Sequence, residues 1–115
     1  IHEIKANLEN DNLKILKRIN NLKKIYSVGL VNYLHEKFPL NVIILFGSYS
    51  RGEDIEKSDI DIALDTKEKI LELKEFEKKL NKKINIEFID FNKISKELRD
   101  NIINGIILSG YMQLK

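Results

Sequence analysis

Apolar residues recur at steps of three and four from Leu13 to Phe38: Leu13, Leu16, Ile19, Leu22, Ile25, Tyr26, Leu30, Val31, Leu34 and Phe38. That spacing lines one face of an α-helix. One long helix is therefore expected, capped at Asn10 or Asp11 and running to about Lys37, where Pro39 bars its continuation. Gly29 falls inside it and marks either a close packing contact or a break. The pattern then changes. Residues 41–46 form a nearly continuous apolar run, the mark of a strand buried on both faces. Residues 59–65 alternate, with Ile60, Ile62 and Leu64 opposite Asp59 and Asp61, and residues 84–89 alternate again, with Ile84, Ile86 and Phe88 opposite Asn85, Glu87 and Ile89. Between these strands, residues 68–80 read as an amphipathic helix with its lysines outward. Residues 95–104 read as a short helix capped at Ser95. Residues 106–108 fit a last strand or a continuation of that helix equally well.

Strands separated by helices place the chain in the α/β (α+β) class. The expected architecture is a small mixed central sheet of three to four strands, helices packed against it, and a long N-terminal helix in front. With 115 residues there is room for one domain with one core. Residues 11–115 are assigned to that domain and residues 1–10 to a connector. Ile1 stands where a start methionine would, and the Asn- and Lys-rich opening resembles the tail of an upstream domain.

Composition narrows the chemistry. A net charge of +2, with basic residues spread along the chain, gives little support to a broad nucleic-acid-binding face. The chain has no cysteine, which removes disulfides and thiolate metal sites and fits a cytoplasmic setting. Its apolar runs are far shorter than the ~20 residues a membrane helix needs, and no secretory signal is visible.

The informative stretch is residues 45–62, Leu-Phe-Gly-Ser-Tyr-Ser-Arg-Gly-Glu-Asp-Ile-Glu-Lys-Ser-Asp-Ile-Asp-Ile. An apolar strand stops at Gly47-Ser48, a polar turn follows, and two carboxylates then share one strand face. Side by side, Asp59 and Asp61 repel each other, and folding alone gives no reason to pair them. A hard divalent cation does, because it takes oxygen ligands and cancels the repulsion. If residues 84–89 form the neighbouring strand, Glu87 joins them. The Gly47-Ser48 turn offers backbone N–H groups and a hydroxyl to phosphate, and Arg51 a guanidinium. Each residue also has a plainer use. Asp59 and Asp61 would suit a solvated edge, Arg51 would pair with Glu53 or Asp54, and Glu87 with Lys82 or Lys83. His2 and His35 lack a second ligand at metal spacing. Asp90 lies on the face opposite Glu87.

Gly47-Ser48, then Arg51-Gly52, then Ser58-Asp59-Ile60-Asp61 resembles the signature of the DNA polymerase β nucleotidyltransferase superfamily, and most of all its minimal nucleotidyltransferase domains. The likeness covers roughly residues 30–110. In the family a third carboxylate, usually aspartate, follows on a later strand, and Ile86-Glu87-Phe88-Ile89-Asp90 lines up with that segment. The resemblance implies a nucleotidyltransferase fold and Mg2+-dependent transfer of AMP from ATP to a hydroxyl. Asp59, Asp61 and Glu87 would serve as catalytic residues holding two Mg2+ ions, with Glu87 a third ligand or the base. Gly47 and Ser48 would hold the β- and γ-phosphates, with Arg51 and Ser58 in the same nucleotide site. It further implies an antitoxin that adenylylates a tyrosine of a HEPN-type toxin. The alternative is a catalytically weak nucleotide-binding regulator fused to a winged-helix DNA-binding domain, DNA being reached only through that upstream part. The first helix is long enough to pair two copies of the chain.

Overall fold

The computed structural model describes residues 2–112, with side chains from residue 10 onward. The elements in chain order are α1 (His2–Ser27), α2 (Leu30–Lys37), β1 (Ile43–Phe46), α3 (Gly47–Ser50), β2 (Ile60–Leu64), α4 (Lys74–Leu80), β3 (Ile84–Phe88), α5 (Lys96–Ile103) and β4 (Ile106–Ser109). The four strands form one mixed sheet in the order β3-β2-β1-β4. β1 is antiparallel to both β2 and β4, and β2 runs parallel to β3. The α/β expectation and the long leading helix both hold.

β1 sits at the centre, so all four of its side chains, Ile43 to Phe46, are buried. Alternation sends Ile43 and Leu45 to one face, with Ile60, Ile62, Leu64 and Ile84, where Ile25, Leu30, Leu34 and Phe38 of the first two helices pack. Ile44 and Phe46 point the other way, with Ala63, against Ile102 of α5 and Phe91. Asp61 shares the parity of Ala63 and lies on this second, α5-covered face.

Three expectations need correction. The single long helix is two, because Gly29 takes φ +84° and breaks it. A Cβ on Gly29 would meet nothing within 4 Å, so this glycine is there for its conformation and not for packing. The first helix also does not begin at a cap near residue 10; Asn10 and Asp11 are interior to α1. The third correction concerns residues 68–80, of which only Lys74–Leu80 is helical. The preceding segment crosses the surface in irregular form. Leu71 and Leu73 tuck against the core there, and the Glu72 N–H donates to the Tyr33 hydroxyl at 2.9 Å. Tertiary anchoring of those two leucines overrides the helical pattern.

The other boundaries follow their local chemistry. α2 ends at Lys37 with Phe38 at φ −134°, ψ 64°, outside the helical region, which the residue before Pro39 avoids. The Ser95 hydroxyl accepts the Leu98 N–H at 3.2 Å and starts α5. Residues 106–109 are a strand, which resolves the open choice at the end of the pattern.

Candidate active site at the glycine turn

The site is assembled where β1 ends and β2 begins. Phe46 lies opposite Asp61 in the β1–β2 ladder, so the chain leaves β1 beside the first carboxylate of β2. Gly47 then takes φ +78° and opens the one-turn helix α3. A Cβ on Gly47 would stand 2.5 Å from Oδ2 of Asp61. Glycine is thus required twice over, for its backbone angle and for the space the Asp61 carboxylate fills. The first N–H groups of α3 have no partner within such a short helix, and Ser48 stands at their centre, half-buried.

The rest of the turn is held from behind. Gly52, at φ +70°, backs onto α1, and a Cβ there would meet the Lys14 carbonyl oxygen at 2.3 Å and the Arg18 nitrogen at 3.0 Å. Asn21 of α1 donates to the Tyr49 carbonyl at 3.0 Å and to Oδ1 of Asp54 at 2.8 Å. The Tyr49 hydroxyl in turn donates to the Asn21 carbonyl at 3.2 Å. Burial, with the negative charge of Asp54 adding to it, pushes the Tyr49 phenol up to about 12, so it stays a neutral donor. Asp54 is only 5% exposed and is matched by two cations, Lys17 at 3.5 Å and Lys82 at 3.4 Å. Lys17 also donates to the Asp54 carbonyl. Lys82 reaches further, to the carbonyls of Ile55 at 2.7 Å and Ser58 at 3.3 Å. It therefore ties down the loop that delivers Asp59. The Ser58 hydroxyl accepts the Ile55 N–H at 2.9 Å and closes the same loop.

The carboxylates come together as a row. In the parallel β2–β3 ladder Asp61 pairs with Asn85, and Glu87 pairs with Ala63. The Asn85 amide donates to Oδ1 of Asp61 at 3.1 Å and to Oε1 of Glu87 at 3.2 Å, bridging the two acids. Burial raises the pKa of Asp61 above its ordinary range. The Asn85 hydrogen bond opposes the shift, the charges of Asp59 and Glu87 add to it, and Arg51 offsets part of it. Asp59, Glu87 and Arg51 thus all act on Asp61. Asn85 keeps Asp61 and Glu87 apart, however, and among the described residues no three His, Cys, Asp or Glu side chains close around a common metal position. All-oxygen donors whose like charges destabilise one another are the chemistry of a hard divalent cation site.

Other predicted residues have defined places. Arg51 is exposed and pairs with Glu53 at 3.2 Å, and it donates to the Asn101 side chain at 3.4 Å. Lys82, a suggested partner of Glu87, instead serves Asp54. The residues that pattern reading missed are Asn21, Asp54, Lys82 and Asn85. Only Asn85 carried a visible signal, its place in the strand alternation two residues before Glu87. The Asp54 cluster joins residues far apart in sequence and leaves no local trace.

The family described as polymerase beta, nucleotidyltransferase, matches residues 28–111 of this chain. A protein of Methanocaldococcus jannaschii, provisionally named a protein adenylyltransferase, is 51% identical over 41 residues. Those residues are 36% of this chain and 42% of that protein, so the chain spans about two-fifths of the length of the relative it matches. The mixed four-stranded sheet with its helices is consistent with the nucleotidyltransferase fold. Among the described residues no helix is long and apolar enough to cross a membrane.

Proposed function

This chain belongs to the polymerase beta nucleotidyltransferase family, and from that premise we propose that it transfers AMP from ATP to a tyrosine hydroxyl of a partner protein. The partner we assign is a HEPN-type toxin, with this chain as its antitoxin. One observation carries the reading. The Asp61 carboxylate is packed into the space left by Gly47, at the start of the one-turn helix α3, with the charges of Asp59 and Glu87 acting on it.

In this reading the N–H groups of Gly47 and Ser48 and the Ser48 hydroxyl orient the triphosphate tail. Arg51 leaves Glu53, a pair exposed enough to be worth little, and joins the phosphates. Asp59 and Asp61 would hold Mg2+, with Glu87 joining them once Asn85 no longer spaces it from Asp61, and the ion would supply neutralisation of phosphate charge. Glu87 would also take the acceptor's proton. Ser58 and Lys82 shape the loop that presents Asp59. The name of the archaeal relative supports a protein acceptor.

The experiment is incubation with labelled ATP, Mg2+ and the candidate toxin. Label should pass to a toxin tyrosine, and the double change Asp59→Ala, Asp61→Ala should abolish it. Label persisting in the double variant would reject the assignment of these acids.

A second reading, a nucleotide-binding regulator with little turnover, is favoured by one feature. An amide, Asn85, stands beside Asp61 where a third carboxylate would complete the row, and Glu87 sits one step further along. That reading expects Mg-ATP to raise the melting temperature without acceptor-dependent release of pyrophosphate.

A further inference from the structure

α1 docks on the domain by its polar side. Asn21 and Lys17 make its buried hydrogen bonds and ion pair, and Gly52 presses on its backbone at Lys14 and Arg18. Among the described side chains of α1, Ile25 and in part Leu22 enter the core. Residues 10–20 are all exposed. The large apolar residues among them are more than half uncovered: Leu13 at 63%, Ile15 at 54%, Leu16 at 63% and Ile19 at 58%. Apolar residues on a helix ordinarily face inward; here Leu13 to Ile19 face solvent, and only further on does Tyr26 turn to the domain, its hydroxyl donating to the Leu108 carbonyl at 2.9 Å.

Their spacing has a pattern. Asn12, Ile15, Ile19, Leu22 and Tyr26 follow one another by three, four, three and four, the spacing of a coiled-coil seam, open from Asn12 to Ile19 and meeting the domain at Leu22 and Tyr26. In the sequence, Ile1, Leu8, Ile15 and Leu22 stand seven residues apart. A polar residue on such a seam, here Asn12, fixes register at some expense of stability. Charge is divided along the same helix. Residues 2–12 carry Glu3, Glu9 and Asp11 against Lys5, whereas residues 13–27 carry Lys14, Lys17, Arg18, Lys23 and Lys24 with no acid. Two such helices side by side in parallel would set basic half on basic half. Antiparallel, each acidic half lies along a basic half. The domain is attached at the C-terminal end of α1 and covers only its other side, so an antiparallel pair also holds the two domains at opposite ends of the helices.

We propose that the outward seam of α1 binds α1 of a second copy of this chain as an antiparallel coiled coil, giving a two-fold symmetric dimer. The inference does not depend on the transferase reading.

The test is sedimentation equilibrium of the chain beside Ile15→Glu, Ile19→Glu. Both positions are exposed, so the variant should keep its melting curve at concentrations where the parent is monomeric. Its dissociation constant should rise by about a hundredfold or more, as the loss of several kcal/mol of apolar contact implies. Orientation is read with single cysteines, since the chain has none of its own. Lys5→Cys mixed with Lys23→Cys should cross-link through a short bis-maleimide, because the antiparallel overlay of acidic on basic half sets residue 23 opposite residues 4 and 5, while Lys23→Cys alone should not. A parent chain that is monomeric at about 100 μM, a dimer indifferent to the two glutamates, or efficient cross-linking of Lys23→Cys to itself would each overturn the proposal.

Discussion

Replacing Gly47 with alanine should separate what the glycine turn does for stability from what it does for chemistry. Gly29→Ala is the control. Both glycines lie at nearly the same positive φ, 78° and 84°, so each alanine carries the same conformational penalty, about 1–2 kcal/mol. At Gly29 nothing else follows, because the added Cβ has open space. At Gly47 the Cβ meets Oδ2 of Asp61 at 2.5 Å, and that oxygen must retreat by about an ångström to reach ordinary contact. It is the end of a rotatable side chain, so the extra loss of stability is small. Both variants should melt roughly 5 °C or more below the parent, within a few degrees of each other. Activity should diverge. Misplacing a functional group by about an ångström costs about a hundredfold, so Gly47→Ala should lose about two orders of magnitude in transfer rate and Gly29→Ala almost none. Calorimetry and a labelled-nucleotide transfer assay on the two variants suffice. A Gly47→Ala rate within tenfold of that of Gly29→Ala would refute the reasoning.

Asp61→Asn should raise the melting temperature at neutral pH in EDTA. The folded-state pKa of Asp61 lies above its ordinary value of 3.8. The folded state therefore binds the proton more tightly than the unfolded chain, and stability falls as pH rises through that window. The gain should vanish below the ordinary value, and added Mg2+ should stabilise the parent but not the variant; an Asp61→Asn protein that melts lower at pH 7 would contradict this. Lys82→Met should cost about 3 kcal/mol by urea denaturation, because it leaves buried Asp54 under-compensated and takes a donor from the carbonyls of Ile55 and Ser58. Lys17→Met, whose side chain is 44% exposed, should cost under about 1 kcal/mol. Equal losses in the two lysine variants would mean that Asp54 is not the determining partner.

Much of the fold was legible because the chain's patterns are local. The continuous apolar run of β1, the alternation of β2 and β3 and the Ser95 cap each announce themselves within a few residues, and each is found. Where reading failed, distant parts of the chain decided. The stripe from Leu13 to Ile19 has helical spacing, but spacing does not reveal that the polar edge of α1 docks and the apolar edge does not. Residues 68–73 have a helical pattern, yet Leu71 and Leu73 are drawn to the core as separate anchors. The glycine turn and the acids on one face were readable from the motif, and Asp59 and Asp61 stand beside it. The row's third member was placed by parity, not register. Parity puts Glu87 on the correct face, but only the ladder shows that Asn85 is the neighbour of Asp61. The buried cluster of Asn21, Asp54 and Lys82 could not be read, since its members are separated by about thirty residues at each step.

The central place of β1 has a consequence for the birth of the protein. β1 is completed on one side by β2, soon after it in sequence, but on the other by β4, at residues 106–109. While the chain is still emerging from the ribosome, the most apolar strand of the sheet presents an open edge until nearly the whole domain has been made. An unpaired edge of that kind recruits other strands. A nascent chain held before Ile106–Ser109 has emerged would therefore be at its stickiest.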